Sequence, residues 1–169
     1  MSKPVEIPAE LLADGAAAPL VRRQVATQAT LDAFRGKQFS WSGGKTCLHL
    51  MYAHLVHCGV KVPPLPKVAS PLAARRVLKR RGEANMAEVI DGLGIERLPA
   101  PAMLTVGDLA YRSSEDGMGG VLVCVGPNQL LGWVEEIAAN ESDEGQAVQR
   151  CEVFIMTLDQ VEAAWRVPI

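Results

Sequence analysis

The sequence predicts an α+β domain in which N-terminal helices pack on a small antiparallel sheet. Three observations carry that expectation. Up to Leu93, apolar residues recur at helical spacing between start and stop signals. After Gly94, short runs rich in β-branched and aromatic residues alternate with Gly, Pro, Asn and Asp. The 169-residue chain is 49% hydrophobic and 21% charged, a globular composition with room for one core.

Residues 1–18 hold Pro4, Pro8 and an Asp-Gly-Ala-Ala-Ala stretch, and read as an N-terminal arm with a short helix at Ala9–Ala13. Residues 19–169 then form the single domain. Pro19 suits the first turn of a helix reaching Phe34, which Arg35-Gly36-Lys37 ends. Phe39-Ser40-Trp41-Ser42-Gly43-Gly44 is a loop. The next helix starts near Thr46, runs to Cys58 and stops at Gly59; its Leu48, Leu50, Met51, Tyr52, Leu55 and Val56 make it apolar nearly all round, as in a buried helix. Val62-Pro63-Pro64-Leu65-Pro66 is an extended connector. Ser70 caps a helix with Pro71 at its first position and Gly82 at its end. Asn85 caps Met86–Gly92, with Glu88 as the capping-box acid. Strands are predicted at Ile95–Leu98, Leu109–Ser113, Gly120–Val125, Leu130–Val134 and Glu152–Met156, with a polar loop over Ala139–Gln149 and a short helix opened by Thr157-Leu158-Asp159-Gln160. The predicted core is Trp41, Cys47, Leu50, Met51, Leu55, Val89, Ile90, Leu109, Val121, Val123, Phe154 and Trp165.

The formal net charge of −2 conceals a segregation. Residues 33–82 carry ten Lys and Arg and no acid, whereas residues 83–169 carry fifteen acids against four arginines. Arg75, Arg76, Lys79 and Arg80 fall on one side of the helix at 71–81 and are candidate partner-binding residues. A pI near 5.9 and the lack of interleaved aromatics argue against nucleic acid as that partner. No apolar run approaches the ~20 residues of a membrane span. The N-terminus lacks signal-peptide form, so folding in a cytoplasm is expected. Cys47, Cys58, Cys124 and Cys151 show no CxxC spacing, and no cofactor or metal site is expected.

Cys47 stands apart from the other three. It opens a buried helix behind a Trp-Ser-Gly-Gly loop, and both a helix N-terminus and the neighbouring Lys45 favour a thiolate. Phe39-Ser40-Trp41-Ser42-Gly43-Gly44-Lys45-Thr46-Cys47 resembles the Trp-Gly-Gly…Asp-Cys segment of papain-like cell-wall peptidases of the NlpC type. Val106-Gly107-Asp108-Leu109 resembles their Gly-Asp turn, and Gly120–Gly126 the strand that bears their catalytic histidine. Ala164-Trp165-Arg166-Val167 looks closer to a divergent branch of tailed phages and prophages. The resemblance spans roughly residues 20–167, and it implies a papain-like fold with Cys47 at the nucleophile position.

The departures matter equally. Thr46 replaces the family's Asp, Leu48-His49 its Ser-Gly, and the strand Gly120–Gly126 holds no histidine. A thiol nucleophile needs a base within about 3 Å. The three histidines, His49, His54 and His57, share the helix of Cys47. His49 lies about 200° around its axis, and His54 about 10 Å along it. Cys47 therefore reads as a vestigial nucleophile, and the His54/His57 pair as packed side chains lacking a third metal ligand.

The resemblance and the missing base together imply a virion structural protein, a pseudoenzyme of the phage tail tip or tail assembly. Its partners would be other tail proteins such as the tail hub and distal tail protein, met in the host cytoplasm during assembly. Two alternatives compete. One is an active cysteine peptidase or amidase cutting peptidoglycan during entry through Cys47. The other is a cytoplasmic binding module using the basic helix at 70–81.

Overall fold

The computed structural model describes residues 18–136 and 148–169, and over them four α-helices precede a six-stranded antiparallel sheet. The chain is α+β. The arm at 1–17, with its expected helix at Ala9–Ala13, lies outside the described residues, as do residues 139–147 of the expected polar loop.

Helix α1 (Ala18–Phe34) turns Ala26, Thr27, Thr30 and Phe34 inward. Those positions recur at i, i+4 and i+8, one face of a 3.6-residue helix. That face meets α2 (Cys47–His57), which supplies the centre of the core with fully buried Leu50, Met51, His54 and Leu55. Each such Leu or Met contributes about 1.5–3 kcal/mol relative to exposure. Thr46 caps α2, its hydroxyl accepting from the His49 N–H at 3.4 Å. Helix α3 (Pro71–Arg81) buries only Ala74 and Leu78, and Gly82 closes it at φ +74°. Helix α4 (Met86–Gly92) buries Met86, Ala87, Val89 and Ile90.

The strands are β1 (Glu96–Arg97), β2 (Leu109–Arg112), β3 (Gly120–Gly126), β4 (Gln129–Glu136), β5 (Val148–Ile155) and β6 (Ala163–Arg166), in spatial order β1-β6-β2-β3-β4-β5. Three differences from expectation have physical reasons. β6 was not predicted; Ala163-Ala164-Trp165-Arg166 has little β-propensity, but it is held between β1 and β2. Val148 and Gln149 belong to β5 rather than to a loop, because β5 pairs with β4 along eight residues. The segment 158–160 is a single 3₁₀ turn.

Alternation sends Val121, Val123, Leu109 and Leu131 towards the helices, where they join the main core with Trp165. The other face carries a smaller cluster, Ala110, Leu122, Cys124, Leu130, Met156 and Val161. Of the predicted core, Trp41 and Phe154 are half-buried and pack on its edges, and Cys47 is partly exposed as a residue. Cys58, Cys124 and Cys151 are buried free thiols.

Candidate functional site

Cys47 is the first residue of α2, where the Phe39–Gly44 loop delivers it. A bridge between Ser40 and Lys45 closes that loop, the Ser40 hydroxyl accepts from the Gly43 N–H at 2.9 Å, and Gly44 adopts φ +66°. The thiol faces β3. Backbone N–H groups of Val121, Leu48 and Cys47 itself favour its anion, as a helix N-terminus should. Burial outweighs them, the Asp116 carboxylate adds repulsion, and the pKa of Cys47 is raised above that of a free thiol.

The expected help from Lys45 does not arrive. Its ammonium donates to the Ala33 carbonyl at 3.3 Å and sits 4.4 Å over the Phe34 ring. The basic surroundings inferred from sequence are thus absent at the thiol itself, and the charge that reaches it is Asp116. That correction follows from side-chain reach, which one-dimensional charge counting ignores.

Each histidine is engaged away from Cys47. His49 Nδ1 is 2.8 Å from the Thr46 hydroxyl. His54 is fully buried, with Nε2 2.9 Å from the Gly107 carbonyl and Nδ1 2.9 Å from Thr30 Oγ1. His57, exposed, places its Nδ1 2.9 Å from the same hydroxyl. A carbonyl only accepts, so His54 donates from Nε2 to Gly107, while the single proton of the Thr30 hydroxyl is shared between the Ala26 carbonyl at 3.0 Å and His54 Nδ1. Thr30 in turn accepts from His57 Nδ1–H. Burial lowers the His54 pKa to about 4. None of the three imidazoles is hydrogen-bonded to Cys47.

Among the described residues, neither Tyr111 nor Asp116 is suited to serve as the base. Tyr111 is buried near the start of β3, and its ring occupies the space a Cβ at Gly119 would need, 2.2 Å away. Burial and the carboxylates Glu162, Asp116 and Glu88 raise its pKa, so it stays a phenol. Asp116 is held as a carboxylate below its ordinary range, first by the Ser114 hydroxyl and then by the Met118 N–H at 3.0 Å. A low-pKa carboxylate is a weak acceptor for a proton from a raised-pKa thiol.

Sequence reading missed two constellations. Asp108, fully buried, accepts from Arg23 Nη1 at 3.0 Å, from the Thr105 N–H at 2.9 Å and hydroxyl at 3.0 Å, and from the Val167 N–H at 3.3 Å. Arg166 Nε lies 3.1 Å from its other side, close but not aligned for a hydrogen bond. The Gly-Asp turn is thus a structural tie between α1, β2 and β6. Gly107 there has φ +87°, and a Cβ would come 3.2 Å from Thr27 Oγ1. The second is Cys58 Sγ, 3.5 Å from His54 Nε2; the i, i+4 spacing could have signalled it. Burial drives the Cys58 thiol up to about 11, so the pair is a neutral contact. Among the described residues no cluster of three or more His, Cys, Asp or Glu is placed to hold a metal ion.

On α3, Arg75, Arg76, Lys79, Arg80 and Arg81 are all exposed. Arg75 donates to the Asp116 carbonyl at 3.1 Å, and Arg80 to the Arg76 carbonyl at 3.4 Å. None of the five is ion-paired with a described acid.

These features define an α+β domain in which none of the three imidazoles is hydrogen-bonded to the Cys47 thiol. Residues 20–167 match the model of a domain family of unknown function, DUF6950, and the chain belongs to that family. No curated protein and no solved structure matches the chain.

Proposed function

We propose that the chain is a structural component of a bacteriophage tail tip or tail assembly, built on a papain-like, NlpC-type fold that no longer performs hydrolysis. The observation that carries the loss of chemistry is the Cys47 corner: the thiol is desolvated and protonated, and every imidazole is bonded elsewhere. The tail context is implied by the resemblance of the Phe39–Cys47, Val106–Leu109, Gly120–Gly126 and Ala164–Val167 segments. Tail partners such as the hub and the distal tail protein would meet the basic face of α3, where a charged patch sets register and association rate.

Mass spectrometry of purified particles from a phage encoding the chain tests this reading, alongside the infectivity of a Cys47→Ala mutant. The expected result is the chain in mature virions and unimpaired infection. Absence from virions removes the tail-tip role. A Cys47→Ala phage unable to cross the cell wall would restore the peptidase reading.

A further inference from the structure

Helix α2 has a face turned away from Cys47. His49, Tyr52, Ala53 and Val56 recur at i, i+3, i+4 and i+7, one stripe of the helix. This stripe lines an open groove of about 490 Å³, together with Ala33 and Phe34 at the end of α1, Gly44 and Lys45 of the loop, and the connector at 62–65. That size suits a small ligand. The lining is apolar apart from Lys45, His49, Tyr52 and His57, and Val56 within it is 59% exposed.

The polar groups are donors with capacity to spare. The Lys45 ammonium donates to the Ala33 carbonyl at 3.3 Å, which leaves its other N–H groups for a ligand. The Thr46 hydroxyl is fully buried, and among the described residues its proton has one acceptor, His49 Nδ1 at 2.8 Å. The neutral His49 ring therefore carries its own proton on Nε2. Gly44, at φ +66°, places no side chain beside that nitrogen, where a Cβ would come within 3.6 Å. Tyr52 is only 5% exposed, and its buried hydroxyl has no hydrogen-bond partner among the described residues, a rare state for such a group. No acid lines the groove. Asp32, the adjoining carboxylate on α1, accepts from Gln28 at 2.8 Å.

We propose that this groove binds a small apolar acid, a monoanionic carboxylate held by Lys45 Nζ and His49 Nε2–H and accepting from the Tyr52 hydroxyl, with its hydrocarbon body against Val56, Val62 and Leu65. The single charge follows from the lining. Burial, and then Lys45, lowers the His49 pKa, and burial lowers that of His57, so both rings are uncharged at neutral pH. A phosphate dianion would bring a charge that no second lining cation meets. An amino acid would bring an ammonium that no lining carboxylate meets. A free acid and the C-terminus of a polypeptide share the chemistry that remains. The inference does not rest on the tail reading, and neither Cys47 nor α3 takes part in it.

Isothermal titration calorimetry of the full chain with hydrocinnamate tests it. The expected result is saturable binding, with the methyl ester of the same acid and phenyl phosphate each about tenfold weaker or more. Lys45→Gln should weaken binding about tenfold and Tyr52→Phe about threefold. Lys61→Gln, at a position outside the lining, should leave it unchanged. Circular dichroism should report all three variants folded. An acetylated tripeptide ending in phenylalanine distinguishes the two sources: tighter binding than hydrocinnamate assigns the groove to a polypeptide C-terminus, weaker binding to a free acid. Saturation by neither overturns the inference. So does an ester bound as tightly as the acid, which would leave an apolar groove alone, or an affinity indifferent to both Lys45→Gln and Tyr52→Phe. Phenyl phosphate bound more tightly than the carboxylate would overturn it in favour of a phosphate site.

Discussion

At the scale of single residues, the chemistry is decided by desolvation. Cys47 occupies a place where helix N–H groups stabilise a thiolate, yet its pKa rises because the protein removes more water than those groups replace. Iodoacetamide should therefore label Cys47 at neutral pH about tenfold slower than a cysteine in a flexible peptide. Faster labelling there would mean an activated thiol. His54 gives a pH dependence whose sign is fixed by the same effect. Its pKa falls from an ordinary 6.5 to about 4, so the folded state holds it neutral. The groups around it are His57, Arg23, Asp108 and Cys58, and burial is the largest influence. The unfolded chain binds this proton first, so His54 stabilises the fold fully above pH 6.5. About 3 kcal/mol of that is lost as the pH falls towards 4. Urea midpoints across that range should decline, and His54→Asn should flatten the decline even while lowering stability overall. An equally steep decline in the variant would place the titrating group elsewhere.

At the scale of elements, legibility followed local signals. Thr46, Ser70 and Asn85 cap their helices as read, because cap chemistry is encoded within four residues. β6 escaped notice because Ala163-Ala164-Trp165-Arg166 becomes a strand through its neighbours, β1 and β2, which lie far away in sequence. Asp108 was visible as part of a turn, but its partners, Arg23 and Arg166, could not be assigned without the third dimension. That no imidazole is bonded to Cys47 was legible because all three histidines sit on one helix of known geometry. The failure of Lys45 to support the thiol was not, since its long stem allows several destinations. Asp108→Ala should cost about 3–5 kcal/mol by leaving Arg23 and Arg166 without their carboxylate. An unchanged urea midpoint would show the tie to be idle. Gly132→Ala should cost about 1–3 kcal/mol, since its methyl must displace Leu122; thermal melting reports it, and a variant as stable as the wild type would mean the outer face yields freely.

At the scale of the molecule, a net charge of −2 describes nothing that a partner would meet. Five cations gather on α3, and exposed acids such as Glu115, Glu135 and Glu162 lie in the sheet half. Such segregation serves association: it directs approach and fixes orientation while adding little to stability. High salt should accordingly leave the melting temperature of the dilute chain nearly unchanged while weakening its contacts; a large loss of melting temperature would mean the surface charges hold the fold itself. On the proposed reading, a desolvated thiol bonded to no imidazole and an exposed basic helix suit an assembly module better than a hydrolase. Cryo-microscopy of tailed particles encoding the chain tests this most directly. The account predicts ordered density for the domain at the tail tip, with α3 buried in a contact and no imidazole approaching Cys47. A particle in which a neighbouring subunit delivers a histidine to the Cys47 thiol would contradict it.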